Sequence, residues 1–268
     1  MASSLCHSLQ QFVRCATFIT LRPYSINMLR VVKFLKDFLL FTGILRLLSP
    51  FNNMFLFISN FNKLHSFISK NKNGLLINDF YSFKRDYDKR HLLFEKVIAH
   101  YQLEKKEIIY LEFGVAHANS FRWWLAHNSN ANSKFYGFDT FEGLPEDWGG
   151  FFKKGDMSSD IPQLNDNRAT FVKGIFQDTL NNFINSNVIE LKNKQKIIHM
   201  DADLFSSTIF VLSQLYQYLN KGDIILFDEF NVANHEFFAF DILTKAFYVK
   251  LKPIAAVNNF YQVAFVVE

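Results

Sequence analysis

The sequence predicts a doubly wound α/β domain on a mostly parallel sheet, preceded by a helical extension. Three observations predict it. From Glu107 onward, short apolar runs alternate with stretches of helical spacing, the pattern of strands linked by helices that cover both faces of a sheet. Within Glu107–Asp139 the order is an apolar run, one glycine, a helical stretch and a second run ending on an acid. Such an order places a ligand at the carboxyl ends of the strands. Two later runs also end on acids, in HMDAD and ILFDE.

The elements are expected in this order. Residues 1–30 hold Ser and Arg but no acid, and read either as a transit-type segment or as an over-long start upstream of Met28. Residues 29–48 show helical spacing broken by Arg30, Lys33, Lys36, Asp37 and Arg46. They fall short of the roughly 20 mostly apolar residues that a spanning helix needs. An interfacial helix on anionic lipid and a helix packed on the domain or on a second subunit both fit. Pro50 is expected to end it, and 51–69 to form a second helix. A helix then precedes the sheet within 80–104, where His91 and His100 are expected on its surface. Strands are predicted at 108–113, 134–138, 169–173, 196–200, 223–227 and 260–267, the last antiparallel at the edge. Helices are predicted at 119–128, 178–187, 206–220 and 235–249, and Trp123 and Trp124 are expected to pack on the sheet. The domain boundary falls at 78/79.

Composition narrows the function classes. The net charge of +4 is uneven: residues 1–77 hold nine Lys and Arg against one acid, Asp37, which leaves a net negative charge on the remainder. Nucleic-acid binding by the main domain is therefore not suggested. The two cysteines, Cys6 and Cys15, both lie in the extension, so neither a disulfide framework nor a structural zinc site is indicated. A cytoplasmic setting is expected, with peripheral membrane contact or a homo-oligomer through the Phe-rich extension. Most of the 33 phenylalanines are expected in packing.

The chemistry gathers at the strand ends. Gly114 permits φ > 0 or a close backbone approach. GVAHAN carries only one glycine, and a pyrophosphate needs the further glycines of the dinucleotide fingerprint. A nucleoside without phosphates fits better. Asp139 is placed to accept two ribose hydroxyls, which points to S-adenosylmethionine, with Glu112 facing its methionyl amine. The alternative is that both acids are loop or capping carboxylates. Ser120, at the start of the following helix, and Gln177, where an adenine edge would lie, extend the cofactor set. Asp178 reads as a helix cap or as a further contact. Asp201, Asp228 and Glu229 crowd together, and such a cluster is costly without a cation. Oxygen ligands suit Mg²⁺. Asp203 reads either as one of these acids or as the cap of the next helix. Asp201 and His235 are the catalytic candidates, His235 as general base or as an ordinary helix-start residue. His117 could line the cofactor site. Gly149, Gly150, Phe151 and Phe152 are expected in a loop over the acceptor.

Five blocks, YLEFGVAHANS, YGFDTFEGLPEDW, VKGIFQDTL, IHMDADLFSST and GDIILFDEF, together resemble the macrocin O-methyltransferase-like branch of class I S-adenosylmethionine-dependent methyltransferases. The resemblance covers roughly 85–268. It implies the Rossmann-like methyltransferase fold, with seven strands, one of them antiparallel. It also implies cofactor binding by Glu112, Gly114, Asp139 and Thr140, and a metal held by Asp201, Asp228 and Glu229. Characterised members methylate sugar hydroxyls, so a sugar or other small-molecule acceptor is expected. Two positions depart from the pattern: Ala118 and Asn119 replace frequent glycines, and the metal pair is Asp-Glu rather than Asp-Asp. A silent binding or scaffold protein, or a nucleotide-sugar or hydroxylase-like enzyme on the same sheet, are the rival readings.

Overall fold

The computed structural model describes residues 23–148 and 150–268. The transit-type reading of residues 1–22, both cysteines and Gly149 lie outside the described residues. The chain divides into two compact units, one ending at Phe55 and the other spanning Leu56–Glu268.

The first unit holds α1 (Pro23–Thr42), a 3₁₀ helix (Ile44–Phe51) and the start of α2 (Asn52–Asn71). The first helix stops earlier than Pro50 would stop it. Gly43 takes φ 60, and its N–H donates to the Leu39 carbonyl at 3.1 Å. This is the left-handed glycine stop that satisfies a terminal carbonyl. Pro50 instead sits inside the 3₁₀ helix.

The second unit is a seven-stranded sheet in the order β3-β2-β1-β4-β5-β7-β6. Its strands are β1 (Ile108–Phe113), β2 (Lys134–Asp139), β3 (Ala169–Lys173), β4 (Gln195–Met200), β5 (Ile224–Phe227), β6 (Leu251–Val257) and β7 (Gln262–Val267). The first five pair in parallel, and β7 runs antiparallel to both β5 and β6. The helices are α3 (Lys89–Tyr101), α4 (Asn119–His127), α5 (Phe176–Asn193), α6 (Phe205–Leu215) and α7 (Glu236–Ala246). β6 is the strand that the sequence reading lacks. Pro253 in its middle reads as a loop, yet an edge strand tolerates a missing donor, and the ladder shifts register between Pro253 and Ala255.

The sheet is covered on both faces. Ile109, Leu111 and Phe113 of β1 enter one apolar core, and Ile108 and Tyr110 enter the other. Every residue of β1 is thereby buried, as parallel strands between two helix layers require. Much of the phenylalanine surplus packs here: Phe113 stacks on Phe138 at 4.7 Å, and Phe230, Phe240 and Phe265 lie within 5.1 Å of one another. Trp124 is fully buried. At the opposite edge from the crevice, Lys196 and Asp223 form a buried ion pair at 2.9 Å.

Register positions the site. Phe113 lies opposite Phe138 and Met200, and Met200 lies opposite Phe227. One step past this row stand Gly114, Asp139, Asp201 and Asp228, at the carboxyl ends of four adjacent strands. The order of the strands reverses between β1 and β4, so this row borders the crevice where such folds bind ligands.

Candidate active site

A cavity of about 320 Å³ opens above this row. One end is walled by Ala116, Asp139, Thr140 and Gln177, and the other by Arg90, Asp201, Asp203, Asp228, Glu229 and Tyr261.

The first end is built around Asp139. Its Oδ2 accepts the N–H groups of Val115 and Ala116 at 2.7 and 2.8 Å, and its Oδ1 accepts that of Phe141 at 2.8 Å. A carboxylate has about four acceptor positions, so one remains. Asp139 thus locks the β1 turn to β2, and in this conformation it can take one further hydroxyl rather than two. Gly114 has φ 88, and a Cβ there would lie 1.8 Å from the Asp201 carbonyl oxygen. The close approach that demands glycine is to the end of β4, not to a ligand. Thr140 donates from Oγ1 to the Gly143 carbonyl at 2.7 Å and orders the next loop. Gln177 sits in the first turn of α5 and lines the cavity. Asp178 is not the cap; Ile175 holds that position, and Asp178 lies in the first helical turn, where its charge suits the helix dipole.

The second end is acid-rich. Asp203 has φ 57 and does not cap α6, whose N-cap is Leu204. Burial, and then the neighbouring Glu229 carboxylate, push Asp203 up to about 8. Burial raises Glu229 to about 7, although Tyr261 donates its hydroxyl proton to Glu229 Oε1. Asp201 is also raised, by burial and then by Asp228. One cation faces this group: Arg90 lies 3.3 Å from Asp228 and 3.6 Å from Asp201. Beneath it, His199 places Nε2 3.8 Å from Asp228 and Nδ1 2.9 Å from the Tyr110 hydroxyl. Burial opposes charge on His199, but the contacts with Asp228 and Glu112 outweigh it and lift it to about 9.

Two residues expected at the cofactor lie behind the wall instead. Glu112 is 1% exposed. Side chains alternate along β1, so Glu112 shares the face of Tyr110, whose hydroxyl donates to it. Ser120 is also buried, and its Oγ accepts from Arg90 at 3.3 Å. Glu112 therefore supports His199, and Ser120 supports Arg90. His117 is exposed away from the cavity. His235 does not line it either. Its Nδ1 accepts the Phe205 N–H at 3.3 Å, and burial lowers its pKa. A neutral ring accepting at Nδ1 carries its proton on Nε2, so the ring has no free lone pair for a general base. His235 is the helix-start residue of α7.

His199, Asp201 and Asp228 offer ligand atoms within 4.8 Å of one another. Asp228 Oδ1 and Glu229 Oε2 are buried without a hydrogen-bond partner. Four carboxyl groups meet one guanidinium and the His199 ring, and two of their buried oxygens stay unpaired, so the residues fit a divalent cation. The geometry differs from the expected trio in one respect: Glu229 turns toward Tyr261 and Asp203, and His199 completes the close set. Arg90, Tyr261 and Trp148 are the wall residues that sequence reasoning missed. Arg90 was hidden in the charged run Lys84–His91, which reads as a solvated face.

Residues 156–259 match the macrocin-O-methyltransferase (TylF) family model. The match covers less than half of the chain. The segment carries Gln177 and, from the acid-rich end of the cavity, Asp201, Asp203, Asp228 and Glu229. No curated protein matches the chain. Among solved structures, the chain is similar to CalS11, a calicheamicin methyltransferase, at 18% identity and a TM-score of 0.54, covering 78% of this chain and 91% of that one. It is also similar to the O-methyltransferase NovP, at 18% identity and a TM-score of 0.46, covering 67% and 78%. The first likeness establishes the Rossmann-like methyltransferase fold.

Proposed function

We infer that the chain methylates a hydroxyl of a sugar or other small-molecule acceptor, with a divalent cation, Mg²⁺ first, at Asp201 and Asp228. The observation that carries this reading is the pair of orphaned carboxylate oxygens, Asp228 Oδ1 and Glu229 Oε2, beside the cavity. Buried acceptors without partners are costly, and an oxygen-liganded cation at Asp201 and Asp228 would satisfy Asp228 Oδ1. Such a cation would supply positive charge that eases loss of the acceptor's proton. Macrocin O-methyltransferase kinship favours a sugar hydroxyl.

The chain's own residues divide the work. Asp139 and Gln177 line the end that suits the ribose and adenine of the cofactor. A cofactor so bound would have its methyl group on the side of the acid-rich end, where an acceptor hydroxyl would be held in line. Asp201 and Asp228 would hold a cation beside that hydroxyl. Arg90 contacts both of these carboxylates, and Tyr261 donates a hydrogen bond to Glu229. Trp148, stacked on Phe152 at 4.9 Å, covers the cavity from the loop after β2.

Transfer of a labelled methyl group to a panel of glycosides, sugar nucleotides and phenols tests the reading. Turnover of a sugar hydroxyl is expected, lost in chelator and restored by Mg²⁺. Asp228→Asn should lower kcat by at least about 100-fold while S-adenosylmethionine still binds. Full turnover in chelator would remove the cation from the account, and exclusive methylation of phenols would remove the sugar.

A further inference from the structure

We propose that residues 28–55 form a membrane-surface anchor that lies on an anionic bilayer. In α1, Val31, Phe34, Leu35, Phe38 and Leu39 recur at the spacing of one helix face, and each is 36–68% exposed. Arg30, Lys33 and Lys36 line the other side, with Asp37 the one acid among them. The 3₁₀ helix continues the apolar surface, because Ile44, Leu45, Leu47, Leu48 and Phe51 are all exposed and none of its residues is buried. A run of this extent is rare on a protein surface that faces only water.

Charge selects the occupant. No helix among the described residues is long and apolar enough to cross a membrane, so the surface can lie on a bilayer but not span it. An apolar face bordered by Lys and Arg is the pattern of a helix that sits at the headgroup level of anionic lipid. A second copy of the chain would bring Arg30, Lys33, Lys36 and Arg46 near the same four charges of its partner. Anionic headgroups turn that repulsion into attraction.

The test is co-sedimentation of the full chain with phosphatidylcholine vesicles, with and without an equal part of phosphatidylglycerol. The chain should pellet with the anionic vesicles, and more weakly at high salt. Joint replacement of Phe34→Asp and Phe38→Asp should reduce partitioning more than about tenfold, and Lys33→Glu with Lys36→Glu by a similar factor. Both variants should retain the parent's thermal transition and S-adenosylmethionine binding. Failure of the parent to pellet with anionic vesicles would overturn the proposal. So would undiminished pelleting of the Phe34→Asp, Phe38→Asp chain. A dimer in sedimentation velocity that this variant dissociates, without vesicle binding, would assign the surface to a second copy.

Discussion

Arg90 is 24% exposed at its side chain and faces four carboxyl groups. Removing the only guanidinium of such a cluster leaves charges uncompensated. A fully buried pair loses about 3–5 kcal/mol when one partner is removed, and partial exposure brings the expectation for Arg90→Ala to about 2–3 kcal/mol. Because a divalent cation can replace the lost charge, added Mg²⁺ should raise the melting temperature of Arg90→Ala more than that of the parent. Thermal unfolding with and without Mg²⁺ measures both effects, and an equal Mg²⁺ shift in the two proteins would count against a cation at Asp201 and Asp228. At this scale the sequence names the acids but not their environment. Asp139, Asp201 and Asp228 are legible because each ends an apolar run. Glu112 is misread because strand alternation turns it away from the cavity, and Arg90 because a charged helix start looks the same whether it meets water or carboxylates.

The β1 turn is an element defined by one backbone contact. Gly114→Ala would combine a left-handed φ with a Cβ 1.8 Å from the Asp201 carbonyl oxygen. β1 and β4 would have to move apart, at an expected cost of at least about 3 kcal/mol. Gly150→Ala is the control, since nothing lies within 4 Å of its added Cβ, and it should stay within about 0.5 kcal/mol. Urea unfolding of the two variants reads the difference. The strands of the parallel sheet were legible because each is a short apolar run between turn signals. The β6–β7 hairpin was not. Its connection uses three consecutive left-handed residues, Asn258, Asn259 and Phe260, a conformation that Phe rarely adopts. Asn258 ties the hairpin to the backbone of Asp86 through two hydrogen bonds, and Asn259 ties it to Ser82. That tertiary cost-sharing brings Tyr261 to Glu229, and no local pattern announces it.

At the scale of the molecule, the strand order, the row of residues past the register line and the family match of residues 156–259 agree on one cavity with two ends. In the proposed function, the end built on Asp139 takes the cofactor and the end with Asp201 and Asp228 is the reactive one. The overall fold was readable because helix and strand periods alternate from Glu107 to the helix that ends at Ala246. The extension was less so, since an exposed apolar helix and a packed one share the same spacing. The measurement that tests the central claim most directly is calorimetric titration of the full chain with S-adenosylmethionine, beside Asp139→Ala. The account predicts one site per chain, weakened at least about tenfold in Asp139→Ala, because that variant loses both the ribose acceptor and the lock on the β1 turn. Absence of binding to the parent protein, or equal affinity in the variant, would contradict it.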